Sequence, residues 1–358
     1  MHDLGGMDHA HWMRRCLQLA ATGAGLAAPN PMVGAVLVQG GGVLAEGWHH
    51  AHGAPHAEVE CLRAFGDGPI PQDAVLYVSL EPCAHTGLTP PCADLLIARG
   101  VRTVVVACTD PDPRVSGRGL AKLREAGIAV ITDVLRDEAR WLNRRFITAV
   151  EQQRPHVILK WAQSADAFLD RHPVRNGQPP RISCFTTDVL AHRWRSEEQA
   201  IMAGSRTVLN DDPLLNVRLV AGRSPLRVVL DRSGITPASS RVYNAGAPTL
   251  LFTAARRDLP HAEQVLLHGG TDPLRTVLGE LHKRKVRSVL VEGGAELLGH
   301  FLAADLWDEA RVIIGDILLG SGTPAPRLAL LPAGSITSGS DRIHWFLRNG
   351  TVPQGRPW

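Results

Sequence analysis

Apolar residues recur at three- to four-residue spacing across residues 9–27, Trp12, Cys16, Leu19 and Ala20 among them, and predict an amphipathic helix. Pro29-Asn30-Pro31 ends that rhythm. The run 33–38 predicts a strand, Gly40-Gly41-Gly42 a hairpin turn, and 43–48 the partner strand. Pro55 suits a helix start, and Val59, Leu62 and Phe65 on one face carry a helix over 56–65. Residues 74–80 read as a buried strand, 93–99 as a helix opened by Cys92, 101–108 as an apolar strand and 119–126 as a helix. A strand at 128–132 and a helix at 135–150 complete an α/β layer with helices packed on a sheet.

Gln152-Gln153-Arg154-Pro155 reads as a linker. Beyond it the alternation resumes: strand 156–161, helix 186–197, strands 199–203, 226–231 and 248–253, helix 273–283, strand 286–291, helix 295–304 and strand 310–314. Two α/β domains are expected, 9–150 and 154–345, in line with a length of 358 residues.

Composition narrows the classes. With 44% apolar and 20% charged residues the chain has the make-up of an ordinary soluble globular protein. A net charge of +3 gives no reason to expect nucleic acid, and 5% aromatics argue against a stacking surface for single strands. Six cysteines in a chain this long do not form a disulfide framework, which points to the reducing cytoplasm. No segment reaches the ~18 apolar residues of a membrane span, and residues 1–9 lack the basic start and apolar run of a signal peptide. The expected partner is a small molecule, with neither nucleic acid nor membrane; a homo-oligomer stays open.

Chemistry concentrates between residues 56 and 92, where His56-Ala57-Glu58 is followed by Glu81-Pro82-Cys83 and Pro91-Cys92. His56, Cys83 and Cys92 make three ligands for a tetrahedral Zn²⁺ and leave a fourth position for water. Structural zinc sites usually close all four positions with protein, so three ligands beside a carboxylate point to catalysis. Zinc lowers the pKa of its water towards ~7, and Glu58 is placed to shuttle protons to a leaving amine. This is the zinc deaminase arrangement, in which the Glu is the catalytic acid–base and not a ligand. Taken alone, His-Ala-Glu is common by chance, and the two cysteines could be small buried apolar residues. The ordered combination, with Pro before each Cys, carries the assignment.

Eight residues separate the two thiols, where many zinc deaminases have two. The string Glu-Pro-Cys-Ala-His-Thr-Gly-Leu-Thr-Pro-Pro-Cys closely resembles the deaminase domain of the bifunctional riboflavin biosynthesis proteins, a pyrimidine deaminase fused to a reductase. The resemblance implies a cytidine-deaminase-like three-layer domain followed by a dihydrofolate-reductase-like α/β domain that uses NADPH. In the first domain it implies that Asn30, within Pro-Asn-Pro-x-Val-Gly, and His49 contact the pyrimidine. Without it, Asn30 reads as a turn residue held out of the helical region between prolines.

In the second domain the resemblance implies NADPH contacts from Thr207, Asp211 and the segment Gly294, Ala295, Glu296, Leu297, Leu298, Gly299 and His300. Arg195, Leu215, Arg218 and Glu292 would hold the substrate, the arginines suiting its ribose phosphate. Lys160 and Asp166 match a Lys-x-x-x-Ser-x-Asp pattern near the same cleft. The residues themselves are less specific. Glycines between a strand and a helix admit a phosphate to backbone N–H groups, but such a junction is more often tight packing, and Gly-x-Gly-x-x-Gly is absent. A loop with Arg114 and Arg118 is a second place for a phosphate.

The family pattern is not fully kept. Ala167 replaces a turn glycine, Pro179-Pro180-Arg181-Ile182 replaces Ser-x-Trp-Ile, Leu88 replaces an arginine, and 345–358 is unlike the family's closing strand. The expected function is zinc-dependent deamination of 2,5-diamino-6-(5-phosphoribosylamino)pyrimidin-4-one, then NADPH-dependent reduction of its ribosyl group to ribityl. The departures leave an alternative, a deaminase carrying a degenerate reductase-like domain. A nucleic-acid-directed zinc module or tRNA deaminase is a third reading, and the near-neutral charge speaks against it.

Overall fold

The structure, a computed structural model, describes residues 8–84, 90–113, 115–171 and 180–349. They fall into two units, one ending at Gln152 and the other beginning at Gln153, each with its own sheet. Leu88, Arg114, Pro179 and residues 350–358 lie outside the described residues.

The first unit begins with α1 (His9–Ala21), where the Asp8 carboxylate accepts the His11 N–H and so caps an otherwise unpaired donor. The chain continues through β1 (Gly34–Gln39), β2 (Gly42–Trp48), α2 (Ala57–Phe65), β3 (Val75–Val78), α3 (Cys92–Ala98), β4 (Thr103–Val106), α4 (Arg118–Glu125) and β5 (Ala129–Ile131). It closes with α5 (Arg136–Leu142) and α6 (Arg144–Glu151). The sheet order is β2-β1-β3-β4-β5, antiparallel across β1 and parallel from β3 to β5. Strand alternation sends Leu37, Leu76 and Val104 to one face, where Leu62, Leu96 and Leu123 of three helices cover them. Val36, Val38, Tyr77 and Val105 face the other way, onto Met13, Cys16 and Leu17 of α1. The result is the three-layer arrangement expected.

Two helices differ from expectation. The first ends at Ala21, and turns occupy the stretch up to Pro31. The segment 135–150 is two helices, because Asn143 leaves helical geometry and pairs its side chain with the backbone of Met32. Its Oδ1 accepts the Met32 N–H at 2.8 Å, and its Nδ2 donates to the Met32 carbonyl at 2.9 Å. That rung spans 111 positions of sequence, beyond the reach of any local pattern.

The second unit runs β6 (His156–Gln163), α7 (Phe185–Glu197), β7 (Ala200–Gly204), α8 (Ser205–Asp211), β8 (Leu226–Leu230), β9 (Thr249–Thr253), β10 (Glu263–Leu266) and α9 (Pro273–Lys283). Then come β11 (Ser288–Val291), α10 (Ala295–Ala303), β12 (Glu309–Ile314), β13 (Gly334–Ser338) and β14 (Asp341–Leu347). The order β10-β9-β8-β7-β11-β6-β12-β14-β13 is parallel as far as β12 and antiparallel beyond it. From β7 the chain moves outward to β8, whereas from β11 it passes over β6 to β12. The sheet therefore reverses its winding between β7 and β11, and a crevice opens outside their carboxyl ends. Helix α8, the short strand β10 and the pair β13 and β14 were not anticipated. In the last pair β14 lies between β12 and β13, and it takes in only residues 345–347 of the C-terminal stretch that departs from the family pattern.

Ala167 tests the family glycine it replaces. Its φ of 64° lies in the left-handed region, where its Cβ crowds the following carbonyl. The turn persists because Ala167 N–H donates to the Ser164 carbonyl at 2.9 Å, and the Asp166 carboxylate accepts N–H groups from Leu319 (3.0 Å) and Gly320 (2.7 Å). Ala167→Gly is therefore expected to stabilise this unit by about 1 kcal/mol, or about 2–4 °C in Tm. Thermal unfolding checks this, and an unchanged or lower Tm contradicts it.

Candidate functional site

In the first unit the site lies where β3 ends and two helices begin. Beyond β3, Ser79 N–H donates to the Gly34 carbonyl at 3.0 Å, and its Oγ accepts the Gly34 N–H at 3.0 Å. Glu81 N–H then donates to the Cys108 carbonyl at 3.0 Å, so the chain enters Cys83 from a pinned backbone. His56 is the extended residue before α2, and Cys92 is the first residue of α3. Cys92 N–H points at Cys83 Sγ (3.3 Å), and Ala93 N–H donates to the Cys83 carbonyl (3.1 Å). The helix dipole and the Cys92 amide favour a thiolate there.

His56 Nδ1 lies 3.6 Å from Cys83 Sγ and 3.3 Å from Cys92 Sγ, and the three donor atoms fall within 4.8 Å of one another. A tetrahedral zinc with bonds of ~2.3 Å to sulfur and ~2.0 Å to nitrogen spaces its ligand atoms about 3.5–3.8 Å apart. The three donors fit that ion with small adjustments. The Cys83 thiol is pushed well below the usual range by its hydrogen bond with Cys92, with His56 and the Cys92 amide adding to it. Cys92, as the donor of that bond and buried, is pushed up.

Glu58 sits in the first turn of α2 and is 3% exposed. Burial pushes its carboxyl up to about 7, with His56 opposing. A carboxyl near that value can both take and give a proton at neutral pH. His49 is 2% exposed and has its ring 5.6 Å from that of His56. Its Nδ1 donates to the Pro55 carbonyl at 2.9 Å, which leaves Nε2 to accept from Asn30 Nδ2 at 3.2 Å. Burial lowers its pKa and keeps the ring neutral. Asn30 and His49 thus stand together beside the candidate ligand His56, while His50 and His52 are exposed.

In the second unit the crevice between β7 and β11 gathers the remaining residues. Glu292, just after β11, takes a two-pronged ion pair from Arg195 (2.7 and 2.8 Å) and lies 3.5 Å from Lys160 Nζ on β6. Burial pushes the Glu292 carboxyl up, but Arg195 and Lys160 outweigh it and hold the group well below the usual carboxylate range. The third arm of Arg195 donates to the Asn216 carbonyl at 3.2 Å, so this guanidinium is committed to protein partners. Arg218 is exposed, with one arm donating to Asn216 Oδ1 at 3.2 Å. Across the crevice, Thr207 Oγ1 accepts the Gly294 N–H at 2.9 Å and joins α8 to the start of α10.

Other expected contacts are placed differently. Leu215, Leu297 and Leu298 turn their side chains into the apolar core, and the Leu298 N–H is already bonded to the Gly294 carbonyl at 3.2 Å. Ala295 and Glu296 offer first-turn N–H groups of α10, whereas the Glu296 carboxylate pairs with Arg206 at 3.1 Å. Gly299 lies a turn further along α10, while His300 and Asp211 are exposed. Arg181, in the altered segment, pairs with Asp188.

His192 was not anticipated. It lies one turn before Arg195 on α7, is 3% exposed, and its Nδ1 accepts the Arg218 N–H at 3.2 Å. Burial, reinforced by the Arg195 and Arg218 cations, pushes it down to about 4. A polar residue three places from a candidate arginine was the one sequence signal for it.

Both depressed groups make stability fall with acid. The His192 contribution is complete above its unfolded value of ~6.5 and is lost as pH falls through about 4; that of Glu292 is complete above ~4.3 and is lost below it. The second unit should therefore weaken progressively from about pH 6.5 downward. Glu292→Gln should cost about 3–5 kcal/mol at neutral pH, because it strands two cations, and should flatten the acid limb. Urea midpoints across the pH series check both, and a midpoint that rises on acidification contradicts the assignment.

Comparison with known proteins agrees with this division of chemistry. Residues 155–333 match the RibD C-terminal domain, and residues 7–108 match the cytidine and deoxycytidylate deaminase zinc-binding region. The riboflavin biosynthesis protein RibD of Aquifex aeolicus is 39% identical over 87% of this chain and 88% of its own length. RibD of Escherichia coli is 37% identical over 88% of this chain and 89% of its own. The crystal structure of a diaminohydroxyphosphoribosylaminopyrimidine deaminase/5-amino-6-(5-phosphoribosylamino)uracil reductase from Thermotoga maritima superposes with a TM-score of 0.84 at 35% identity, covering 94% of this chain and 97% of that one. The chain belongs to the RibD family of riboflavin biosynthesis proteins.

Proposed function

We propose that this chain is a bifunctional enzyme of riboflavin biosynthesis, with a deaminase in residues 9–150 and an NADPH-dependent reductase in residues 154–345. The observation that carries the reading is the convergence of His56, Cys83 and Cys92 beside the buried Glu58. The substrate is 2,5-diamino-6-(5-phosphoribosylamino)pyrimidin-4-one, which first loses its 2-amino group as ammonia. Zinc held by the three ligands supplies a Lewis acid that brings the pKa of its water towards ~7. Glu58 takes a proton from the attacking water, passes it to the ring nitrogen, and then serves the departing amine. Asn30, held by His49 through one N–H of its amide, presents the pyrimidine with its Oδ1 and its remaining N–H.

The reductase reading rests on the crevice between β7 and β11. NADPH supplies the hydride that opens the ribosyl group to ribityl. The α10 N-terminus, with the N–H groups of Ala295 and Glu296, suits its phosphates, and Thr207 steadies that turn. Arg218 suits the substrate phosphate, and Glu292 fixes Arg195 and Lys160. The match over 155–333 and the ion cluster favour this reading over a deaminase with a degenerate partner. The six free thiols suit a reducing compartment, and we place the enzyme in the cytoplasm. Among the described residues no helix is long and apolar enough to cross a membrane.

Zinc-loaded protein should release ammonia from the diaminopyrimidine and oxidise NADPH only afterwards. Glu58→Ala should retain zinc and lower ammonia release about 10²–10⁴-fold, while reducing the deaminated pyrimidine at the parent rate. Stripping zinc should have the same selective effect. A coupled assay of ammonia and NADPH checks this; ammonia without NADPH consumption would point to a dead second unit, and neither product to a wrong substrate.

A further inference from the structure

We infer that Glu81 is a positioning residue for the metal centre, holding the strand end that carries Cys83 against the start of α4. This rests on the zinc reading above. Glu81 is 4% exposed and two residues from Cys83. Its carboxylate is filled by four backbone donors from one distant segment. Oε1 accepts the N–H groups of Gly119 (2.9 Å) and Leu120 (3.3 Å), and Oε2 those of Gly117 (2.9 Å) and Asp110 (3.2 Å). Three of these belong to the α4 N-terminus, whose first amides have no partner within the helix.

A second observation locates the same joint. A Cβ built on Gly119 would lie 1.9 Å from the Pro82 carbonyl oxygen, so the helix rests directly on the peptide between Glu81 and Cys83. On the other side, Cys83 is held by the Ala93 and Cys92 amides. The ligand is thus gripped from both directions, by α3 through backbone donors and by α4 through Glu81. Gln at position 81 keeps the shape but offers one acceptor oxygen, and its NH₂ would face two N–H donors. Partners outside the ligand set that orient a ligand typically contribute 10–100-fold to metal affinity.

The test is zinc competition against a chromophoric chelator for the full chain, Glu81→Gln and Gly119→Ala, with amide hydrogen exchange alongside. Both variants should bind zinc about 10–100-fold more weakly. Exchange should quicken in 110–120 while β1, β3 and β4 stay protected, and reduction of the deaminated pyrimidine should be unchanged. Zinc affinity within twofold of the parent would overturn the inference, leaving Glu81 as a helix clamp. Exchange that quickens throughout β1, β3 and β4 would overturn it too, since Glu81 would then support the whole unit. A parent chain that binds no zinc would instead refute the metal site itself.

Discussion

Taking two thiol sulfurs and an imidazole nitrogen out of water and holding them within 4.8 Å of one another is the constraint on which the first unit depends. Thiolates and imidazole are costly to bury together without a cation, because each needs donors or a partner to replace hydration. The fold meets that need with backbone rather than with more side chains. Cys92 stands at the start of α3, His56 just before α2, and Cys83 receives an amide where α3 begins. The central sheet brings these ends to one edge, and its two apolar faces keep them there.

The second unit solves a different problem with the same economy. Its sheet reverses winding between β7 and β11, which opens a crevice without interrupting the core. Into it the fold places a buried carboxylate, Glu292, and surrounds it with cations from α7 and β6. Once ionised by those neighbours, Glu292 fixes the arginine that would otherwise be mobile. His192 adds a neutral ring below Arg218. Charge is thus organised before any ligand arrives, which is where preorganisation contributes most to binding and rate.

Much of this was legible in the residues. The candidate zinc ligands and Glu58 stand in an order that metal chemistry makes recognisable, because it demands particular residue types, and most strands of both sheets announce themselves as short apolar runs. The candidate reductase residues came from the family pattern alone, since strand-Gly-Gly-helix is common and chemically mute. Even there, the pattern did not tell backbone from side chain: Leu215, Leu297 and Leu298 face the core. Nor did it show that Arg195 is already occupied by Glu292.

The sequence by itself determined the two α/β series and which residues are candidates for the ligand set and the acid–base carboxylate, because periodicity and residue chemistry are local properties. Only the tertiary structure decided where helices break, which cations are committed, and what holds Cys83. Asn143 ends a helix for the sake of Met32, β14 pairs with β12, and Glu81 gathers amides from 29 to 39 residues away. Each of these turns on a hydrogen bond between groups far apart in the chain. Such a bond leaves no trace in local pattern, because its partner is chosen by the packing of the whole unit.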